Sequence, residues 1–161
     1  MSCFCGNGFS FELGKRTYVM GILNFTPDSF SDGGDYFDVH SAVMRAEEME
    51  RYGADIIDLG ACSTAPGRAQ ADAQTESERI KSVLPCIANA VSVPISVDTY
   101  RYEVAEYALN NGAVIVNDES GVFSEDIAKL IRKTDAGWIY MHTGGETSDS
   151  TAQYDSGITA S

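Results

Sequence analysis

The stretch MGILNFTPDSFSDGG, from Met20 to Gly34, contains the change of character that decides the fold. A short apolar run, Tyr18 to Leu23, ends abruptly in a polar segment that contains Pro27 and closes on two glycines. Such a change is typical of a buried strand that leads into a loop. Polar loops at the carboxyl ends of buried parallel strands carry the chemistry of α/β proteins. We therefore expect a functional site in this loop.

Strand and helix patterns alternate along the rest of the chain. Short continuous apolar runs are separated by segments whose apolar residues recur at steps of three and four. The predicted strands are Tyr18 to Leu23, Asp55 to Leu59, Pro94 to Val97, Ala113 to Val116 and Gly137 to Met141. The predicted helices are Asp38 to Tyr52, Gln74 to Val91 with Thr75 or the residue before it as cap, Tyr102 to Asn111, and Ser124 to Thr134 with Ser124 as cap.

The alternation predicts an α/β fold in which helices cover a parallel sheet. The predicted strand ends near Leu23 and Tyr140 are four units apart, which gives about 29 residues per unit. A (β/α)8 TIM barrel of about 250 residues has about 31 per unit. We therefore predict a TIM barrel, of which the chain covers about the first five βα units. A five-stranded doubly wound domain is the alternative.

We interpret residues 1–161 as a single domain, C-terminally truncated. Residues 1–15 form an N-terminal extension, 16–142 the partial barrel and 143–161 a polar loop. Phe9 and Phe11 alternate with polar residues in the extension, which predicts either a short hairpin that plugs the bottom of the barrel or a disordered tail. Since five strands are visible where a barrel needs eight, we expect the sequence to be a fragment.

Composition excludes several classes of function. The formal net charge of −13 argues against nucleic acid or an anionic membrane as partner, and an anionic substrate would need a metal ion or a locally positive pocket. No apolar run reaches the length of a membrane span, and no signal peptide is visible. Cys3, Cys5, Cys62 and Cys86 follow no metal or disulfide spacing. We expect a cytoplasmic protein with free thiols.

Polar residues recur where each predicted strand ends. They are Asn24, Ser63, Thr64, Asp98, Asn117, Asp118 and His142. The ends of parallel barrel strands meet at one rim, so these side chains are expected to converge. A cap or turn is the simpler interpretation for Ser63, Thr64 or Asp118 alone. Asn24, Asp98 and Asn117 each stand at the end of an apolar run and together favour a shared site.

Three stretches resemble the signatures of dihydropteroate synthase, an enzyme of the pterin-binding family. They are MGILNFTPDSFSDGG, GADIIDLGACSTAPG from Gly53, and PISVDTYRYEVAEYALNNGAVIVNDESG from Pro94, with Met141-His142 after them in family order. The resemblance implies a transferase of folate biosynthesis that condenses 6-hydroxymethyl-7,8-dihydropterin pyrophosphate with 4-aminobenzoate. It releases pyrophosphate, forms 7,8-dihydropteroate, and is a sulfonamide target.

The resemblance also implies a role for single residues. Asp98 and Asn117 match the catalytic aspartate and asparagine that bind the pterin ring. Asn24 matches the asparagine that contacts Mg²⁺, the implied cofactor, or pyrophosphate. Asp58 supports the same pocket or is a structural hydrogen-bonding residue.

Three further positions match substrate-binding residues of the family. Thr64 resembles a second-loop threonine near the pyrophosphate and the aminobenzoate. Phe30 resembles the apolar cover of a mobile first loop, and Met141 a methionine that packs on the pterin, with ordinary core packing as the alternative. His142 is either a strand-end histidine or a catalytic one.

The chain departs from the family pattern in places. Ala65 replaces the usual arginine of the second loop, and Arg68 lies three positions away. Gly60-Ala61-Cys62 stands where Gly-Gly-Glu is common. The family's later Lys and Arg motifs fall beyond residue 161, so we doubt that the chain is active alone. The resemblance implies a homodimer for the full-length protein.

Two other functions remain open from the sequence. A corrinoid-linked methyltetrahydrofolate methyltransferase shares the pterin barrel and the Asp/Asn pair, but the NFTPDSFSDGG loop belongs to the synthase branch. A non-catalytic fragment with residual pterin binding is the second.

Overall fold

The computed structural model describes residues 2–26, 39–62 and 71–142. Within these ranges the strands are β1 (Cys3–Gly6), β2 (Phe9–Glu12), β3 (Met20–Asn24), β4 (Ile56–Gly60), β5 (Ile95–Asp98), β6 (Ile115–Asp118) and β7 (Gly137–Tyr140). The helices are α1 (Val39–Arg51), α2 (Ala73–Ala90), α3 (Tyr102–Asn110) and α4 (Glu125–Thr134).

Strands β3 to β7 form the main sheet, which in the described residues is parallel throughout and follows the order β3-β4-β5-β6-β7. From β4 onward, each strand therefore lies beside the strand that precedes it in the chain. Parallel crossovers are right-handed, so an order that always advances in one direction places the connecting helices on one face. A doubly wound sheet needs a reversal of strand order. This order therefore contradicts the doubly wound alternative.

One face of the main sheet packs against the helices. Because side chains alternate along a strand, every second residue of each strand points to this face. The helices contribute their own apolar stripes, among them Ala42, Ala46, Ile80 and Leu84. Together these form the principal core, whose sheet side is made of Leu23, Phe25, Ile57, Leu59, Ala61, Ile95, Val97 and Val116.

The other face of the main sheet carries two rows of side chains, which we call the upper row and the lower row. Residues paired across parallel strands point to the same side, so the strand register defines each row. The upper row lies at the carboxyl ends of the strands and consists of Asn24, Gly60, Asp98, Asn117 and Ile139. The lower row, two residues earlier, consists of Ile22, Asp58, Ser96, Ile115 and Gly137.

A hairpin of β1 and β2 covers the amino ends of the strands on this face. Its Phe9 and Phe11 are buried against Ile56 and Ile115 in a second apolar cluster. A Cβ at Gly137 would lie 2.7 Å from the ring carbons of Phe4 and Phe9, so this close approach requires glycine. The hairpin prediction is therefore confirmed and the disordered-tail alternative is wrong.

Helix ends follow local capping chemistry. Ser124 caps α4 as predicted, since its side chain accepts a hydrogen bond from the backbone N–H of Ile127. The predicted cap of α2 is wrong. Asp72 is the cap, and its carboxylate accepts from the N–H of Thr75 at 2.7 Å. Thr75 therefore lies inside the helix and donates its N–H to the cap residue.

Strand boundaries shift by one or two residues from the prediction. Strands β3, β4 and β5 begin and end later than the apolar runs, and β6 extends through Asp118. Asn24, Asp98 and Asn117 are consequently strand residues rather than the loop residues expected. Their side chains point away from the helices, to the face that carries the upper row. Their backbone N–H and C=O groups can therefore continue the hydrogen bonding between strands.

Some predictions fall on residues outside the described ranges, namely Phe30, Ser63, Thr64, Ala65, Arg68 and the polar loop 143–161. No helix in the described ranges is long and apolar enough to cross a membrane.

Candidate functional site

The upper row brings together the three residues singled out from strand ends. Asn24 pairs in register with Gly60, Gly60 with Asp98, and Asp98 with Asn117. The three polar side chains therefore share one face of the main sheet at its carboxyl edge. Asn117 is buried, Asp98 is half-buried and Asn24 is exposed. The predicted convergence is present, whereas the chemical role of each residue stays a prediction.

Gly60 keeps the middle of the upper row open. A Cβ there would lie 3.0 Å from Asn24 Oδ1 and 3.4 Å from Asp98 Oδ2. The two oxygens thus flank a gap that any larger residue would fill. Sequence reasoning gave Gly60 no role, although a glycine that ends an apolar strand between strands ending in an amide and an acid was a signal.

The charge on Asp98 is costly in this environment. Burial, reinforced by the negative charges of Glu119, Asp58, Glu76 and Asp118, raises the pKa of Asp98 from 3.8 to about 7. A carboxyl group with this pKa is close to half ionised at neutral pH. It can donate a hydrogen bond as an acid or accept one as a carboxylate, and ligands that bring N–H donors or positive charge favour the carboxylate.

Asp58 holds the amide of Asn117. Asn117 Nδ2 donates a hydrogen bond to Asp58 Oδ2 at 3.1 Å, and both side chains are buried. Burial raises the pKa of Asp58, and the neighbouring Ser96 and Asn117 oppose that increase. Within the described residues, Asp58 Oδ1 and Ser96 Oγ have no hydrogen-bond partner of good geometry. Asp58 therefore lies beside the site, and both roles left open for it, support of the pocket and structural hydrogen bonding, stay predictions.

A buried ion pair lies behind the site, between the ends of β4 and β5 and the start of α2. Glu76, only 2% exposed, pairs with Arg101 and accepts a hydrogen bond from Thr99 Oγ1 at 2.5 Å. Cys62 Sγ donates to the same carboxylate at 3.2 Å. Arg101 Nη2 donates to the carbonyl of Ala71 at 3.0 Å. The cluster ties both described ends of the 63–70 segment to the sheet.

Sequence reasoning missed this cluster. Glu76 reads as an ordinary acid in the first turn of a helix, where it complements the helix dipole. Nothing local indicates that it is buried or that its partner is Arg101.

The remaining candidates lie at the margins of the site. Asp118 points to the helix side of the sheet, and its Oδ1 accepts from the N–H of Ser120 at 3.0 Å, which agrees with the turn interpretation. Met141 and His142 follow β7 and are exposed. Thr64 and Phe30 lie outside the described residues.

Asn24 is the candidate magnesium ligand. The described residues contain no group of three His, Cys, Asp or Glu side chains that could hold a metal ion. Mg²⁺ is, however, commonly held by one or two protein oxygens together with substrate phosphates and water. The exposed Asn24 oxygen beside the gap at Gly60 fits that pattern as one ligand of a shared site.

Comparison with known proteins gives a consistent result. The family model described as "Pterin binding enzyme" matches residues 20–160. The dihydropteroate synthase of Clostridium beijerinckii is 44% identical over 138 residues, which are 85% of this chain and 51% of that protein. The chain spans about half the length of the curated relatives that it matches.

Solved structures agree with the sequence relatives. The dihydropteroate synthase of Clostridium difficile, crystallised in the presence of pteroic acid, matches with a TM-score of 0.81 and 44% identity over 92% of this chain and 55% of that chain. That of Xanthomonas albilineans, with 4-aminobenzoic acid, matches with a TM-score of 0.78 and 32% identity over 91% and 54%. The fold prediction is confirmed: the main sheet and its helices correspond to an incomplete TIM barrel.

Proposed function

The chain belongs to the pterin binding enzyme family, and we propose that it provides the pterin-binding face of a dihydropteroate synthase. The reaction is the condensation of 6-hydroxymethyl-7,8-dihydropterin pyrophosphate with 4-aminobenzoate, which yields 7,8-dihydropteroate and pyrophosphate. The observation that carries the proposal is the upper row, in which Asp98 and Asn117 stand side by side beyond the gap at Gly60.

The chemistry of the row suits the edge of a pterin ring. The aminopyrimidinone edge presents several N–H donors close together. The carboxylate of Asp98 accepts such donors, and the amide of Asn117 keeps its oxygen for a ligand while its nitrogen is bonded to Asp58. A donor-rich ring edge therefore meets two neighbouring acceptors.

The negative charges around Asp98 explain why a pyrophosphate substrate would need a cation in order to bind. The residues that act on Asp98 most strongly are acidic, so a pyrophosphate group approaching this row is repelled. We propose that Asn24 would help to hold Mg²⁺ when the pyrophosphate substrate is bound. When bound, it would supply positive charge that stabilises the leaving group.

The residues of this chain then act on the pterin. The C–O bond between the exocyclic methylene and pyrophosphate breaks with its electron pair on the pyrophosphate oxygen. Positive charge develops on the methylene and spreads into the ring, where the ionised carboxylate of Asp98 stabilises it. The amine of 4-aminobenzoate attacks the methylene, forms the new C–N bond and loses a proton to solvent water. No covalent enzyme intermediate is required.

Further parts of the proposal concern residues outside the described ranges and the assembled protein. We assign Thr64 to the region of the pyrophosphate and the aminobenzoate and Phe30 to the cover of the site. Met141, which is described and exposed, would pack on the pterin. A sulfonamide would occupy the place of 4-aminobenzoate. We also propose that the complete enzyme is a cytoplasmic homodimer, which sedimentation of that protein would test.

The test is a calorimetric titration of the 161-residue chain with 6-hydroxymethyl-7,8-dihydropterin pyrophosphate, with and without MgCl₂. We expect binding that strengthens with Mg²⁺ and that Asp98→Ala weakens about 10- to 100-fold, because charge-assisted hydrogen bonds are lost. Asp126→Asn, an exposed acid in the first turn of α4, is the matched control and should bind as the wild type does. A folded chain that does not bind the pterin, or equal losses in the two variants, would refute the proposal.

A further inference from the structure

We propose that Asp58 is a positioning residue, which fixes the side-chain amide of Asn117 with its oxygen available to the ligand. The inference rests on the proposed function for the identity of the ligand, a pterin. It goes beyond that function in giving Asp58, a buried residue of the lower row, control over what the site accepts.

The first support is the geometry of the pair. Asp58 lies in the lower row on β4 and Asn117 in the upper row on β6, so their hydrogen bond crosses the whole of β5. Neighbouring parallel strands are about 4.8 Å apart, and side chains two strands apart reach each other only where the sheet face is concave. The hydrogen bond between Asn117 and Asp58 therefore depends on the curvature of the main sheet and not on the pairing of neighbouring strands.

The second support is the asymmetry of an amide. Asn117 can present either a donor group or an acceptor to a ligand, and the two orientations differ by a rotation of the terminal amide. A carboxylate only accepts, so Asp58 Oδ2 selects the orientation in which Nδ2 points down to the lower row. The opposite orientation would place two oxygens against each other in a buried setting. The Asn117 oxygen is then left to accept from the ring edge, beside Asp98.

A competing explanation is that Asp58 acts only through its charge. It is one of the acids that raise the pKa of Asp98, so its removal would also change the ionisation of that residue. Two substitutions separate the explanations. Asp58→Asn removes the charge but keeps an oxygen that accepts from Asn117, and its own amide nitrogen can donate to the neighbouring Ser96 hydroxyl. Asp58→Leu removes both the charge and the acceptor at similar volume.

The first experiment needs no ligand. In the ¹⁵N-labelled chain, the side-chain amide signals of Asn117 are identified by their absence from Asn117→Leu, and their exchange with water is measured. We expect slow exchange in the wild type, in Asp58→Asn and in the control Ser96→Ala. We expect exchange about tenfold faster in Asp58→Leu. Fast exchange in the wild type, or no change in Asp58→Leu, overturns the inference whatever the ligand.

The second experiment measures the dissociation constant of 6-hydroxymethylpterin. Asp58→Leu should weaken binding about tenfold or more, whereas Asp58→Asn and Ser96→Ala should stay within about threefold of the wild type. In an Asn117→Leu background, Asp58→Leu should have no further effect, because Asp58 acts through Asn117. Equal losses in Asp58→Asn and Asp58→Leu would assign the effect to charge and overturn the inference.

Two safeguards keep the outcomes distinct. If the wild-type chain binds no pterin while the amide of Asn117 is protected as expected, the proposed function fails and the positioning geometry stands. If Asp58→Leu does not fold, Asp58→Ala is the second variant without an acceptor, and the exchange rates of the wild type and of Asp58→Asn decide by themselves.

Discussion

Replacing Asp98 by asparagine should stabilise the chain at neutral pH while it removes the ligand's carboxylate partner. In the folded chain the pKa of Asp98 is about 7, against 3.8 in the unfolded chain. Between these values the folded state binds more protons than the unfolded state. The free energy of unfolding therefore falls as pH rises through this window and levels off above pH 7. Asparagine at the same position does not titrate.

The magnitude follows from the width of the window. A shift of about three units corresponds to about 4 kcal/mol, at about 1.4 kcal/mol per unit. An experiment from about pH 5 to about pH 8 captures two of those units. Two units correspond to about 2.8 kcal/mol. Because Asp98 is only half-buried, solvent screening lowers the expected value, and we predict about 1 to 2.5 kcal/mol.

The assay is urea unfolding followed by far-ultraviolet circular dichroism across that pH range. The quantity that matters is the difference in unfolding free energy between Asp98→Asn and the wild type, which should grow with pH in favour of the variant. A constant difference reports only the pH-independent cost of burying an amide. Asp126→Asn, on the exposed surface of α4, should differ from the wild type by a small amount that stays constant across this pH range. Parallel curves for Asp98→Asn and the wild type would refute the buried-charge argument.

Three other predictions test the surroundings of the site. Gly60→Ala places a methyl group 3.0 Å from Asn24 Oδ1 and 3.4 Å from Asp98 Oδ2, so calorimetry should show weaker pterin binding, with the unfolding free energy in urea changed by less than about 1 kcal/mol. Arg101→Met leaves Glu76 buried without its cation and should lower the unfolding free energy by about 3 to 5 kcal/mol, and Glu76→Gln in the same chain should recover part of that loss. Pterin binding near pH 7 should release protons, because N–H donors favour the ionised form of Asp98. Binding enthalpies in buffers of different ionisation enthalpy measure that release, which should vanish in Asp98→Asn.

The position of the site could be predicted because it depends on strand ends. Apolar runs that stop at Asn24, Asp98 and Asn117 identify residues at the carboxyl ends of parallel strands, and parallel strands bring those ends to one edge. The strand register places these residues in a single row, although the apolar runs predicted the strand boundaries one or two residues too early. That error has a physical cause. A polar residue can continue the backbone pairing of a strand while its side chain lies outside the apolar core.

The contacts of the site could not be predicted, because they depend on curvature and burial. Nothing local in the sequence joins Asp58 to Asn117, which are 59 residues apart and separated by a strand in the sheet. The same holds for Glu76 and Arg101, whose pairing depends on the end of β5 lying against the first turn of α2. Propensity and periodicity describe single elements, whereas these pairs exist only after the sheet has curved and the helices have docked.

The acidic residues around Asp98 affect the two parts of the proposed substrate, the pterin ring and the pyrophosphate, in opposite ways. The acids around Asp98 make the described rim suited to a neutral, donor-rich ring and unsuited to pyrophosphate. Two arginines at the ends of β4 and β5 are engaged in other contacts: Arg101 pairs with Glu76, and Arg79 Nη1 donates to the carbonyl of Ala61 at 2.7 Å. The main sheet therefore offers acceptors to the ring, while the proposed reaction would need a metal ion or further cations to neutralise the leaving group. The same acidity that disfavours pyrophosphate raises the free energy of an ionised Asp98 before binding, so positive charge on the pterin in the transition state relieves a cost already present in the empty site.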